Sequence, residues 1–419
     1  MTPIETAIAC DGHEADVKKS DASLTCRVET DFARVRDLRP AWDAAVRELG
    51  GSLYMTFDWL RVWWEFYGVG KRLRLFLFEQ GDRIVAILPL CLETFWWGPL
   101  KTVVARLVGA NIPPKAFNPP VDTAVAGEVF ARLIRHLFVE DRCDLLSFGG
   151  VTKTWAPQAH FQPACEAAGD LVSEVVYEPR DVLTVFRLPA TFDEYMASLS
   201  SSERKNRRKR LRALEKAYEI GSQIISRPED AESELESFLV QHTAQWQSEG
   251  RGGHFHAWPR GVEFHRELVR AHAPRDRLRF FRLLANGQVV VNRYTYLFGD
   301  TLYSELPSRV VGAEWDRLGI GSSSMVKFIE SAIHEKIRFI DSGLGSYEHK
   351  VQLGGEEIPI GVWRVAGGRH ASRIKARLFL WVSRFIGLVF HKLWYRRILP
   401  RLPKGVGRTQ AMFWLRYEA

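Results

Sequence analysis

The residue types suited to chemistry gather in the second half of this 419-residue chain. The run Asp316-Arg317-Leu318-Gly319-Ile320-Gly321-Ser322-Ser323-Ser324 lies between a predicted strand and a predicted helix. Glycines there let the backbone turn and come close to a ligand, and a helix start presents N–H groups that suit a phosphate. A plain Gly/Ser capping turn reads the same way. The run is neither a Walker A loop, since no Gly-Lys-Ser/Thr follows, nor a dinucleotide fingerprint, since no third glycine completes it. Downstream, the stretch from Phe339 to Lys350 ends a strand on Asp341. A carboxylate there can hold or deprotonate an ammonium, and Lys350 can pair with a phosphate or carboxylate. An Asx turn is the competing expectation for Asp341.

Glu305 stands on an otherwise apolar strand, Leu302-Tyr303-Ser304-Glu305-Leu306. Partial desolvation there would raise its affinity for a proton and fit it to act as a general base. A structural ion pair is the alternative. Tyr303 and Ser304 could supply a proton or polarise a carbonyl. Gln245, Trp246 and Gln247 with Arg251 and Trp258 suit an acceptor pocket or ordinary packing. His254-Phe255-His256 has metal-like spacing but no nearby cysteine or acidic partner, so no metal site is expected.

These residues need elements to position them. Residues 72–90 and 277–296 each read as two apolar runs about a Gly-containing turn, the form of a β-hairpin, and they lie about half the chain apart. An internal duplication explains this economically. In the first half the spacing predicts a helix over Trp59 to Tyr67 and no helix from Val108 to Asp122, where prolines forbid one. A helix over Gly127 to Val139 follows, then a strand, Asp144 to Phe148, closed by Gly149-Gly150. The second half predicts a hairpin, a strand (Thr301 to Leu306), a glycine turn, a helix (Ser323 to His334) and a strand (Arg338 to Ile340). Alternating strands and helices imply a mixed α/β sheet in each half. Between the halves, Ser200 to Ser202 supply N-caps for a helix crowded with bases from Arg204 to Lys216. No aromatic residue is interleaved there to stack bases, which weighs against nucleic-acid reading.

The basic helix, the hairpin at 278–296, the Gly319/Gly321 loop and the stretch FIDSGLGSYEHK together resemble the CelD-like (cellulose-biosynthesis type) acetyltransferases. That family is a GNAT branch related to the FemAB peptidyltransferases with their tandem GNAT-like halves. The likeness covers roughly residues 190–352 well and the first half loosely. It implies an α/β fold (mixed α+β) of two tandem GNAT-like halves, each a mixed, mostly antiparallel sheet flanked by helices. The expected divisions are a disordered leader at 1–26, a degenerate GNAT-like half at 27–185, an acyltransferase domain at 186–366 and a basic amphipathic tail at 367–419. The resemblance further implies acetyl-CoA or another acyl-CoA as co-substrate and no metal. Its glycine loop reads Gln/Arg-x-x-Gly-x-Gly/Ala, which places Arg317, Gly319, Ile320, Gly321, Ser322 and Ser323 around the CoA pyrophosphate. Asp316 takes the leading basic position and Arg317 is displaced by one.

Amide formation needs a bound thioester, a neutral amine and donors for the oxyanion. Glu305, Asp341 and Tyr303 are the expected catalytic residues. Arg204, Arg208, Trp246, His349 and Lys350 are expected to bind a small-molecule or saccharide amine. His349 stands where relatives carry Tyr. An envelope or exopolysaccharide role follows from the resemblance alone. Aminoacyl transfer from tRNA of the FemAB type, which would use the basic helix, and a non-catalytic scaffold are the alternatives.

The net charge of +8 is unevenly placed. Residues 367–419 carry 12 Lys/Arg and one Glu, and the remainder 46 bases against 49 acids. The tail's apolar runs, broken by Arg377, Arg384, Lys392, Arg396 and Arg397, are too short to span a bilayer. Residues 371–404 instead suit an anionic membrane surface, or docking on the protein's own core. The opening residues lack the pattern of a secretory signal, so a cytoplasmic protein, peripheral on the inner face of the membrane, is expected. Five scattered cysteines argue for reduced thiols.

Overall fold

The computed structural model describes residues 23–110, 115–248, 253–256 and 258–402. The first half runs β1 (Leu24–Glu29), α1 (Arg39–Glu48), α2 (Phe57–Tyr67), β2 (Arg72–Gln80), β3 (Arg83–Trp97), β4 (Leu100–Leu107), α3 (Ala126–Arg135), β5 (Leu145–Thr152), α4 (Phe161–Ala167) and β6 (Val172–Arg187). The second runs α5 (Phe192–Ser198), α6 (Ser201–Ala217), β7 (Ile220–Ile225), α7 (Ala231–Ser248), α8 (Gly261–His272), β8 (Leu278–Ala285), β9 (Gln288–Phe298) and β10 (Thr301–Arg309). It continues through α9 (Ala313–Leu318), α10 (Ile320–His334), β11 (Phe339–Leu344), α11 (Glu348–Val351), β12 (Glu356–Gly367) and α12 (His370–Leu388).

Both expected hairpins form, as β2–β3 and β8–β9. Gly81 turns the first at φ +58°, and Asn286 and Gly287 turn the second with φ of +49° and +75°, the left-handed pair a tight hairpin turn requires. The Ser200 hydroxyl accepts from the Glu203 N–H and starts α6 where the sequence places it. Three details differ from expectation. Residues 24–26, assigned to a loose leader, are already strand, and residues 1–22 lie outside the described residues. The strand at Asp144 does not close at Gly149-Gly150 but runs on to Thr152, with Gly149 pressed against Val362 where no Cβ would fit. The helix expected from Ser323 begins three residues earlier, because Arg317 and Leu318 belong to α9 and Gly319 is the corner between two helices.

All twelve strands join one mixed sheet in the order β1-β2-β3-β4-β5-β12-β6-β11-β10-β9-β8-β7. Outward from the central β12–β6 pair the two sides match strand for strand. Each has one parallel pair, β4–β5 and β10–β11, among antiparallel neighbours. The central strands are exchanged: β6 leaves the first half to pair with β11, and β12 returns from the second to pair with β5. The expected boundary at 185/186 therefore falls inside β6, which spans both halves.

The largest core also crosses between the halves. Trp59 of α2 packs edge-on against Tyr296, and Tyr54 against Tyr303, with ring centroids 5.5 Å apart in each case. Ion pairs tie the same seam, Asp58 to Arg275 at 2.5 Å and Asp43 to Arg277 at 2.7 Å. A second core lies under α10, where Ile320, Val326, Phe328 and Ile329 cover β8 to β10. α12 lays Ser372, Ala376, Phe379 and Ser383 against the sheet, a stripe at helical spacing whose Phe379 meets Phe95 at 4.7 Å. α12, the first helix of the tail, is thus docked on the protein along one stripe.

Candidate active site

β10 and β11 run parallel only from Thr301/Phe339 to Tyr303/Asp341 and then part. β10 stays with β9, through a bulge that leaves Glu305 without an opposite residue, while β11 turns away along β6. A cavity of about 590 Å³ opens where they diverge. Asp341 and Glu305 line its inner end, Gly321, Ser322 and Ser324 come from α10, and His349 and Lys350 from α11. The geometry is that of a wedge between strands with a glycine corner beside it.

Asp341 is 6% exposed. Burial pushes its carboxyl up to about 6, against the opposing pull of the Gly343 N–H, which donates to it at 2.8 Å, and of Lys115 and Lys350. The result is a carboxylate poised to exchange a proton near neutrality. The Asx contact expected as an alternative is present too, through the same Gly343 N–H. Glu305 is buried as its strand context suggests, but Lys115 donates to its Oε2 at 2.7 Å. The structural ion pair anticipated for this residue therefore exists, and its partner comes from the first half. Lys350 donates to the Ser342 carbonyl at 2.8 Å, and burial lowers its ammonium. Burial and the charges of Lys350, Arg293 and Arg207 lower the His349 imidazole.

At the glycine corner Gly319 has φ +65°, and a Cβ there would lie 2.7 Å from the Arg210 guanidinium. Arg210 also donates to the Ser322 hydroxyl at 3.2 Å. The amides of Ser322 and Ser323 return to the Gly319 carbonyl as an ordinary first helical turn, the Gly319 amide to Asp316, and Gly321 lines the cavity beside them. These residues fit a diphosphate: a close-approach backbone, a hydroxyl and a cation at a helix start.

The expected residues are only partly brought together. Glu305, Asp341, Gly321, Ser322, His349 and Lys350 line the cavity. Tyr303 does not. Its phenol faces the seam between the halves, bonded to the backbone of Leu53 and pushed up by burial. Ile320 and the Ser323 side chain are buried in the core beneath α10, while Arg317 lies on α9 outside the cavity lining. Arg204 and Arg208 also lie off the cavity. It is Arg207 that turns inward on α6, to Glu203 at 2.6 Å, and Arg210 that reaches the glycine corner. Trp246 meets the cavity indirectly through His254, edge to face at 4.9 Å. Arg251 and the His256 side chain fall outside the described residues.

Lys115, Arg293 and Tyr54 line the cavity without having been expected there. Arg293 had a signal, a charge in the middle of the apolar run Val289 to Tyr296. Lys115 lay in a stretch read only as irregular.

Residues 201–351 match the family described as the acetyltransferase (GNAT) domain. The chain carries a GNAT-type acyltransferase domain. Among solved structures, FemX is similar at 10% identity, over 81% of this chain and 96% of that one, with a TM-score of 0.54, a likeness of fold. A tandem GNAT protein from the clavulanic acid biosynthesis pathway matches at 14% identity, over 83% and 99%, with a TM-score of 0.40. L-PGS from Bacillus licheniformis matches at 11%, over 81% and 96%, at 0.45. No curated protein matches the chain in sequence. The GNAT domain spans the glycine corner and both carboxylates, so the wedge between β10 and β11 lies inside it.

Proposed function

We propose that the chain transfers an acyl group, acetyl in the first instance, from acyl-CoA to an amine, with Asp341 as the group that takes the proton. The observation carrying this reading is the buried Asp341 at the point where β10 and β11 part, beside the glycine corner of α10. Gly321, Ser322 and Arg210 would hold the CoA diphosphate at the corner that Gly319 turns, its own N–H being bonded to the Asp316 carbonyl, and CoA supplies the activated thioester. The acceptor ammonium gives its proton to the Asp341 carboxylate, the free amine attacks the thioester carbonyl, and the tetrahedral adduct collapses with cleavage of the C–S bond, the proton lost by the new amide nitrogen going to the departing CoA thiolate. Backbone donors at the Glu305 bulge are our candidates to bind the carbonyl oxygen. Glu305 is reassigned from base to anchor, since its charge is spent on Lys115.

Only the second half is catalytic in this reading. Where its parallel ladder ends on Tyr303 and Asp341, the first half's ends on Arg106 and Ser147, which offers no carboxylate. The envelope or exopolysaccharide role is carried by the CelD-like resemblance alone. The membrane assignment has support of its own. Opposite its docked stripe, α12 exposes Ile374, Trp381, Phe385 and Leu388, flanked by Arg373, Arg377 and Arg384, which suits an anionic bilayer surface. No helix among the described residues is long and apolar enough to cross a membrane.

The test is acetyl-CoA binding together with turnover of amine acceptors by wild type and Asp341→Asn. We expect binding in both proteins and a rate lower by ~10² or more in the variant, the usual worth of a positioned acid or base. Absence of acetyl-CoA binding would overturn the reading. Because Lys205, Arg208, Lys209 and Arg212 expose a basic face on α6, aminoacyl-tRNA is the second donor to try. Turnover that requires tRNA and ignores acetyl-CoA would select it, and turnover with neither would favour a scaffold.

A further inference from the structure

Arg293 is the odd cation of the cavity. It sits on β9 opposite Pro307, lines the cavity, and is 8% exposed. Other buried arginines have an acid close by: Arg277 has Asp43 at 2.7 Å, Arg207 has Glu203 at 2.6 Å, and Arg364 has Glu178 at 2.8 Å. Arg293 has no carboxylate within ion-pair distance among the described residues, and its Nε is buried without a hydrogen-bond partner. Its close neighbour is the Phe328 ring, with the centroid 5.1 Å from the guanidinium carbon. His349 and Lys350, whose titration it influences, add no negative charge. Burial alone pulls the guanidinium down, to about 10, so it stays charged at neutral pH.

A buried charge without a counter-ion weakens the fold, whereas a packed apolar side chain in its place would not. We propose that Arg293 is the receptor for an anionic group, carboxylate or phosphate, on the molecule that fills the cavity. A planar guanidinium that lines the cavity and has no carboxylate partner of its own matches the two oxygens of such a group. The inference rests on the transferase reading only for the occupant's identity. Two sources share this chemistry: the phosphates of acyl-CoA, and an acid group on the amine acceptor, which would make the acceptor zwitterionic or phosphorylated.

The experiment measures binding of inorganic phosphate and, separately, of acetyl-CoA by calorimetry and thermal shift, using the full chain as wild type, Arg293→Met and Arg293→Lys. Phosphate is expected to raise the melting temperature of wild type. Its affinity should fall at least ~10-fold in Arg293→Met, the loss of one charge-assisted contact, and less in Arg293→Lys. Without phosphate, Arg293→Met should melt no lower than wild type, because it loses an unpaired buried charge. Should Arg293→Met fail to fold, Arg293→Lys decides: a reduced phosphate affinity supports the proposal and an unchanged one overturns it. Unchanged acetyl-CoA affinity alongside lost phosphate binding assigns the anion to the acceptor, and a parallel loss assigns it to CoA. Phosphate that stabilises the variants as much as wild type, or does not bind wild type, overturns the proposal. If phosphate binds through Arg293 and acetyl-CoA does not bind at all, the anion receptor stands and the acyl-CoA reading falls.

Discussion

At the scale of single residues, Asp341 ties function to stability with opposite signs. Its carboxyl holds a proton more tightly in the folded chain, with a pKa of about 6 against 3.8 for an unperturbed group. An acid raised in this way contributes stability below pH 4 that is lost as pH climbs through about 6, because ionisation must then occur in a desolvated site. Asp341→Asn should therefore be more stable than wild type at pH 8, by roughly 2–3 kcal/mol, and show little difference at pH 4. Thermal melts across that range check the sign. Activity should run the other way, falling below about pH 6 as the base is protonated, and a flat pH profile would remove Asp341 from the mechanism. Lys115→Met poses a different question, since it strands the Glu305 carboxylate in a site where its side chain is 3% exposed. We expect a loss of about 3 kcal/mol or more, read by denaturant titration. Asp341 and Glu305 were legible in the sequence because a carboxylate on an apolar strand is unusual at any range. Lys115 was not, because its meaning lies 190 residues away.

Elements were readable where their causes are local. The hairpins follow from alternating apolar runs and from Asn286-Gly287, and α6 from Ser200 and Glu203. The glycine run was read as a turn before a helix, and its true form, a corner between α9 and α10, depends on how Gly319 meets Arg210 across the fold. That corner makes a sharp prediction. Gly319→Ala must place a Cβ at φ +65° against the Arg210 guanidinium, at a cost of ~1 kcal/mol or more, and should weaken acetyl-CoA binding measurably by calorimetry. α12 was anticipated as either membrane-facing or docked, and it is docked on one stripe while its opposite stripe, with Trp381 65% and Phe385 56% exposed, stays apolar. Trp381→Ser with Phe385→Ser should abolish sedimentation with anionic phosphatidylglycerol vesicles and leave the melting temperature within a few degrees. If wild type ignores the vesicles and instead dimerises through this stripe, size-exclusion chromatography will show it.

Across the whole molecule, the pairing of β12 with β5 and β6 was invisible from the sequence. Strand partners separated by some 200 residues leave no local pattern, and an apolar strand reads alike beside either neighbour. The consequence for stability is that neither half owns a complete sheet. Although two domains are the ordinary expectation at this length, unfolding should be a single transition with coincident fluorescence and circular dichroism midpoints. Two separated transitions would show that the exchange of central strands does not couple the halves. The same exchange bears on how the chain is born. Once β5 has left the ribosome its inner edge must wait for Glu356 to Gly367, ~200 residues later, which at cellular elongation rates is about 10–40 s with hydrogen-bonding groups unpaired. During that interval the exposed edge is open to non-native pairing, and an arrest between codons 187 and 356 would leave the sheet half built.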